Sequence, residues 1–175
     1  SDVSGLSTAV TNILRWTVAK GGCSDFDDVS IVNNEFTVSA NIDQTVCDDF
    51  AFLNGQQPAG GETGIWTLIG GGGSFVNASL YNTRVNTLSV NPNTFRWTIT
   101  RANCTAFDDV VITNNKVTAN AGLEQRVCTN TTILDGNDPL LLFPAGATGN
   151  WVATLGGASI TDPSSRNTSV TNLAV

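Results

Sequence analysis

The stretch CSDFDDVSIVNN at 23–34 returns as CTAFDDVVITNN at 104–115, with eight of twelve positions identical across an offset of 81 residues. The match extends in both directions. LRWTVAKGGC at 14–23 meets FRWTITRANC at 95–104, and DQTVC at 43–47 meets EQRVC at 124–128. FLNG at 52–55 meets ILDG at 133–136. The offset then grows to 85, where GIWTLIGGGGSF at 64–75 meets GNWVATLGGASI at 149–160. NTRVNTL at 82–88 aligns with NTSVTNL at 167–173, and STAVTNI at 7–13 reads as a third copy. A recurrence of this kind marks a tandem array with a unit of about 80 residues. The spacing assigns residues 1–35 to the back part of one unit, 36–116 to a complete unit and 117–175 to the front part of the next. Part-units of this kind expose strand edges and apolar faces. Neighbouring sequence or a partner is expected to complete them.

Within a unit the hydrophobic period is two. In FRWTIT, Phe95, Trp97 and Ile99 share one face while Arg96, Thr98 and Thr100 share the other; LRWTVA repeats this with Leu14, Trp16 and Val18. Alternation rich in aromatic and β-branched residues reads as strand. Short strands are expected near 37–42, 47–54, 64–69, 74–76, 83–88, 94–101 and 107–114, separated by turn material such as NPN, NGQQPAGG, GGGG and DGNDP. No segment carries a sustained helical period. The expectation is all-β: tandem immunoglobulin-like or PKD-like repeats, each an antiparallel β-sandwich. Trp66 and Trp97 are expected in the core from facing sheets, with Trp151 and Trp16 in the same roles in the part-units.

Composition excludes several functions. Eight basic residues against fifteen acidic ones leave a net charge of −7, the wrong sign for a surface that neutralises phosphates. The longest apolar run, LLLFPAGA at 140–147, falls far short of the ~20 residues a membrane helix needs. The absence of histidine removes every His-dependent triad. GGGG at 70–73 lacks the Lys-Ser/Thr and helix of a phosphate loop and reads as a bend.

The paired acids Asp27/Asp28 and Asp108/Asp109 are the candidate site. Neighbours on a strand face opposite ways, so neither pair makes a ready catalytic dyad, and no enzyme activity is expected. As metal ligands, Asp27, Asp28, Asp108 and Asp109 point to calcium, which takes carboxylate and carbonyl oxygens. The bland alternative is solvated acids that cap turns and protect a strand edge. The four cysteines, Cys23, Cys47, Cys104 and Cys128, lack zinc-like spacing and suggest disulfides in an exported protein. Cys47 and Cys104 should fall at opposite ends of a sandwich. Cys23–Cys47, Cys104–Cys128 and bonds between adjacent units all stay open.

The set TFRWTITRANC…DDVVIT, ANAGLEQRVC, ILDG, GNWVATLGGASI and NTSVTNL resembles the PKD-like or immunoglobulin-like repeats of giant Bacteroidetes gliding adhesins. These are SprB-like surface proteins exported by the type IX secretion system. The likeness spans nearly the whole chain. It implies that Trp97, Cys104, Asp109, Val110, Cys128 and Trp151 are framework residues, and it supplies no catalytic residues. It also implies display on the bacterial cell surface at the outer membrane, with roles in gliding motility and attachment. SANIDQ departs from the pattern, placing Asn41 where the second copy has Gly122.

The leading expectation is therefore a non-catalytic stalk segment of a large surface adhesin. Its partners would be adjacent repeats, with surface polysaccharide or another substratum as a target. Two alternatives stand beside it. One is a carbohydrate-binding or spacer module of a secreted enzyme, which needs exposed tryptophans. The other is a filament subunit completed by strands from neighbouring subunits.

Overall fold

The computed structural model describes residues 2–141 and 146–173; the apolar run at 140–147 lies partly outside them. The chain is all-β. Its strands are β1 (Thr11–Lys20), β2 (Cys23–Val32), β3 (Gln44–Val46), β4 (Phe50–Phe52), β5 (Glu62–Gly70), β6 (Ser74–Phe75), β7 (Arg84–Asn86), β8 (Pro92–Arg101), β9 (Cys104–Asn114), β10 (Thr132–Asp135), β11 (Ser159–Ile160) and β12 (Asn167–Thr171). A short 3-10 turn covers Pro139–Leu141.

Two sheets whose strands lie between Gln44 and Asn114 pack face to face. One sheet runs β3-β9-β8-β5 and the other β4-β7-β6. The long β8–β9 hairpin is closed by Ala102 and Asn103, with Ala102 at φ 49°. Its inner positions Phe95, Trp97, Ile99, Val110 and Ile112 are buried, together with Trp66, Val85, Leu53, Ala51, Leu88 and Ala40. Burying one such aromatic or aliphatic side chain is worth about 1.5–3 kcal/mol, so this cluster holds the two sheets together.

Three details differ from the sequence expectation. The first strand of the repeat forms at Gln44–Val46 rather than 37–42, and it pairs parallel to β9, Gln44 opposite Ile112. Residues 36–42 run alongside that hairpin without ladder pairing. Trp66 and Trp97 do not face each other across the sandwich. They are direct cross-strand neighbours on one sheet, ring centroids 5.0 Å apart, because β5 pairs with β8. Finally, 7–13 is not a copy of 82–88. Asn33 donates to the Leu6 carbonyl as Asn114 donates to that of Leu88, so Leu6 corresponds to Leu88 and 7–12 to the turn before β8.

The strands before and after this sandwich keep fragments of the same architecture. β1 and β2 form a hairpin in the register of β8–β9, with Arg15 opposite Asp28 as Arg96 is opposite Asp109. β10, β12 and β11 rebuild the second sheet, Ile133 opposite Ser169 as Phe52 is opposite Arg84. Among the described residues, however, 124–128 and 147–155 hold no strand where β3 and β5 would recur. Those strands need the hairpin as their hydrogen-bonding partner.

Candidate functional site

The outer face of each hairpin carries a three-residue brace. Arg96 forks onto Asp109 with two bonds of 2.8 Å, and its guanidinium lies 3.7 Å over the Phe107 ring. Arg15, Asp28 and Phe26 repeat this, with bonds of 2.8 and 2.9 Å and the same 3.7 Å stacking distance. A bidentate arginine pair and cation–π stacking reinforce each other on a strand surface. The arginine's hydrogen bonds hold the carboxyls of Asp28 and Asp109 below the usual range.

The other acid of each pair faces the opposite way. Asp108 accepts the Ala40 backbone N–H at 2.9 Å, tying residues 36–42 to the edge of β9. Asp43 does the same from the other side, accepting the Val111 N–H at 2.9 Å. Asp27 is the counterpart of Asp108 on the free hairpin. The structure thus separates Asp108 from Asp109 and Asp27 from Asp28. Among the described residues no three acidic or cysteine side chains gather as a metal-binding group.

The cysteines are a correction: all four are free. Cys47 and Cys104 do lie at opposite ends of the sandwich, as the strand order implied. Cys104 opens β9 at the hairpin turn, while Cys47 follows Val46, whose carbonyl accepts the N–H of Asn115 just past the other end. The length of β9, about 35 Å at ~3.3 Å per residue, separates the two thiols. A disulfide needs α-carbons within about 7 Å.

Two features went unread in the sequence. The first is a glycine cradle around Trp97. A Cβ on Gly55 would lie 2.7 Å from the Trp97 ring and one on Gly64 would lie 2.3 Å from it. Pro58 packs beside Gly64, and the Trp97 indole N–H donates to the Gln56 carbonyl at 2.9 Å. The signal was the double recurrence of these glycines as Gly136 and Gly149. The second is Asn93, a fully buried amide. It accepts from the N–H groups of Gly72 and Ser89 and donates to the carbonyls of Ser89, Asn91 and Ile112. It pins three chain segments where the sandwich closes. Asn41, which replaces the glycine of the other copy, sits at φ 74° against 83° at Gly122. Asparagine is the side chain that tolerates this left-handed region best after glycine, so the departure preserves the backbone.

No family model matches the chain, and no curated protein matches it. Among solved structures, the PKD domain of human KIAA0319 is similar at 21% identity, covering 51% of this chain and 88% of that one with a TM-score of 0.40. Domains 4–9 of the surface layer protein SbsC are similar at 13% identity, covering 94% of this chain and 31% of that one with a TM-score of 0.30.

Proposed function

We propose that the chain is a non-catalytic segment of the stalk of a long bacterial surface adhesin, of the type displayed at the outer membrane by gliding bacteria. In this reading the repeats carry tension between the cell and an adhesive tip. The observation that carries the proposal is the path of the chain through the complete repeat. It enters beside Phe36, whose ring lies 4.4 Å under the Arg101 guanidinium at the hairpin turn. It then follows β9 in parallel and leaves past Asn114 at the far end, where Asn115 bonds to Val46. Entry and exit at opposite poles string the repeats end to end. Load along the array would shear β3 against β9, a geometry in which several hydrogen bonds must break together.

The burial of both Trp66 and Trp97 in the complete repeat weighs against a sugar-stacking surface there. Single-molecule extension of a polyprotein of 36–116 tests the stalk reading. The expected record is a sawtooth whose peaks are spaced by about 25 nm, the length of about 80 extended residues less the folded repeat. Extension without discrete peaks would exclude a load-bearing role.

A further inference from the structure

Four arginines lie over phenylalanine rings, and three of them hold a carboxylate at the same time. Arg15 over Phe26 holds Asp28, Arg96 over Phe107 holds Asp109, and Arg101 over Phe36 holds Glu62. The fourth is Arg84, whose guanidinium lies 4.1 Å from the centre of the Phe50 ring. Among the described residues it has no carboxylate partner, whereas every other arginine has one. Its neighbours on the outer face of the β4-β7-β6 sheet are apolar and open. Phe52, opposite Arg84 in the β4–β7 register, is 62% exposed. Val76, whose N–H donates to the Arg84 carbonyl from the other side, is 67% exposed. Phe52 meets Phe50 edge to face, with ring centroids 6.2 Å apart. Asn86 lies two residues along β7 from Arg84 and so presents its amide on the same face.

The fold does not need this group. The Arg–Asp–Phe brace recurs on both hairpins, but the second copy of the small sheet has Ile133 opposite Ser169 where this one has Phe52 opposite Arg84. It also has Thr131 in the place of Phe50. An unneutralised guanidinium beside bare apolar side chains suits a carboxylate from outside, carried on a molecule with an apolar face. A single cation in a chain of net charge −7 matches one carboxylate on the planar guanidinium fork, not a row of phosphates. An extended acidic peptide would add along a free strand edge, and the Phe52 carbonyl on the β4 edge is already taken by the Gln44 amide. We propose that Arg84, Phe52 and Asn86 bind a uronate residue of an acidic polysaccharide. The carboxylate forks onto Arg84, the apolar face of the sugar ring stacks on Phe52, and a sugar hydroxyl meets the Asn86 amide. Trp66 and Trp97 are buried and take no part. Phe107 is exposed on the other sheet, but Arg96 covers it and Asp109 already fills that fork.

The site lies on the flank of the sandwich, and the inference is independent of the stalk reading, which the force measurement addresses separately. Titration of the chain with trigalacturonate, followed by amide chemical shifts, should move residues of β4, β7 and β6 along one saturable curve. Contact with one sugar residue implies a Kd of about 1 mM. The net charge of the chain works against adsorption elsewhere, and 0.15 M salt limits that repulsion to about 8 Å. Arg84→Gln and Phe52→Ala should each weaken binding by at least about 10-fold, and Phe107→Ala should leave it unchanged. Arg84 and Phe52 are exposed, so these variants stay folded; the near-ultraviolet dichroism of the Trp66–Trp97 pair checks this. Neutral maltotriose should produce no saturable shift. The proposal is overturned if trigalacturonate gives none up to about 20 mM, or if Arg84→Gln binds it as well as the wild type. Maltotriose binding as tightly as trigalacturonate would also overturn it. So would a triglutamate peptide that binds as tightly at Arg84, since that would assign the site to acidic peptides.

Discussion

β8–β9 and β1–β2 are nearly the same hairpin in two environments. Both close on a two-residue turn, both carry the Arg–Asp–Phe brace, and both have the same register. Trp97 is fully buried and Trp16 is 74% exposed. The comparison separates what a hairpin holds by itself from what the sandwich adds. Cross-strand pairs on the outer face need no third strand, so they are present in both copies. The inner face depends on β5, β4 and β7 to cover it. The same split appears in the front halves: Val170 is buried like Val85, while Trp151 is only half-buried where Trp66 is fully buried.

The comparison can be broken most forcefully at the tryptophans. Trp97→Ala should cost about 3–5 kcal/mol in denaturant unfolding of the complete repeat, whereas Trp16→Ala should leave that transition within about 0.5 kcal/mol. Equal losses would mean that the β1–β2 hairpin is packed within the monomer. The asparagine hub comes next. Asn93→Ala orphans the half-buried Gly72 N–H and takes a partner from the buried Ile112 carbonyl, and should cost about 2–3 kcal/mol. Asn12→Ala, on a hub that serves only its own turn and β2, should cost less than about 1 kcal/mol of hairpin order, read by hydrogen exchange.

The outer brace should distinguish the two copies least. Asp109→Asn is expected to cost about 0.5–1 kcal/mol, since the pair is half exposed. The brace also sets the response to acid. Arg96 depresses the Asp109 carboxyl, and the Ala59 N–H, with Arg101, depresses that of Glu62. Groups depressed in the folded state stabilise it above the ordinary carboxylate range near about 4. That contribution is lost as pH falls through their folded values. The melting midpoint should therefore be flat from about pH 8 to 5 and fall below about pH 4. Asp109→Asn should shrink that fall. The smallest effect is expected from calcium. Two of the four candidate carboxylates, Asp28 and Asp109, are already neutralised by an arginine, so calcium against chelator should shift the midpoint by less than about 1 °C. A rise of several degrees would assign the acids to the cation.

Period-two alternation placed β5, β7, β8 and β9 close to where they form. The paired acids were legible as opposite-facing for the same reason: a strand turns successive side chains to opposite sides. Their partners were not legible. Arg96 lies thirteen residues from Asp109 in sequence, and the two meet only through the hairpin register. The parallel pairing of β3 and the glycine cradle were hidden similarly, because contacts across tens of residues leave no local pattern. The cysteine count suggested disulfides and all four thiols are free, although the strand order did place Cys47 and Cys104 at opposite ends of the sandwich.

The sequence by itself determined the repeat, its period and the strand character of its segments, but not the sheet each tryptophan joins: Trp66 and Trp97 share one, and Trp16, expected in a core, is exposed. The repeat, its period and the strand character follow from side-chain alternation and self-similarity, which are local. Tertiary structure decided which strands pair and in what direction. Residues 44–46 and 62–70 are strands because β9 and β8 lie beside them to complete their backbone hydrogen bonds. Trp66 and Trp97 share a sheet because β5 pairs with β8, a contact between distant segments that no local alternation encodes.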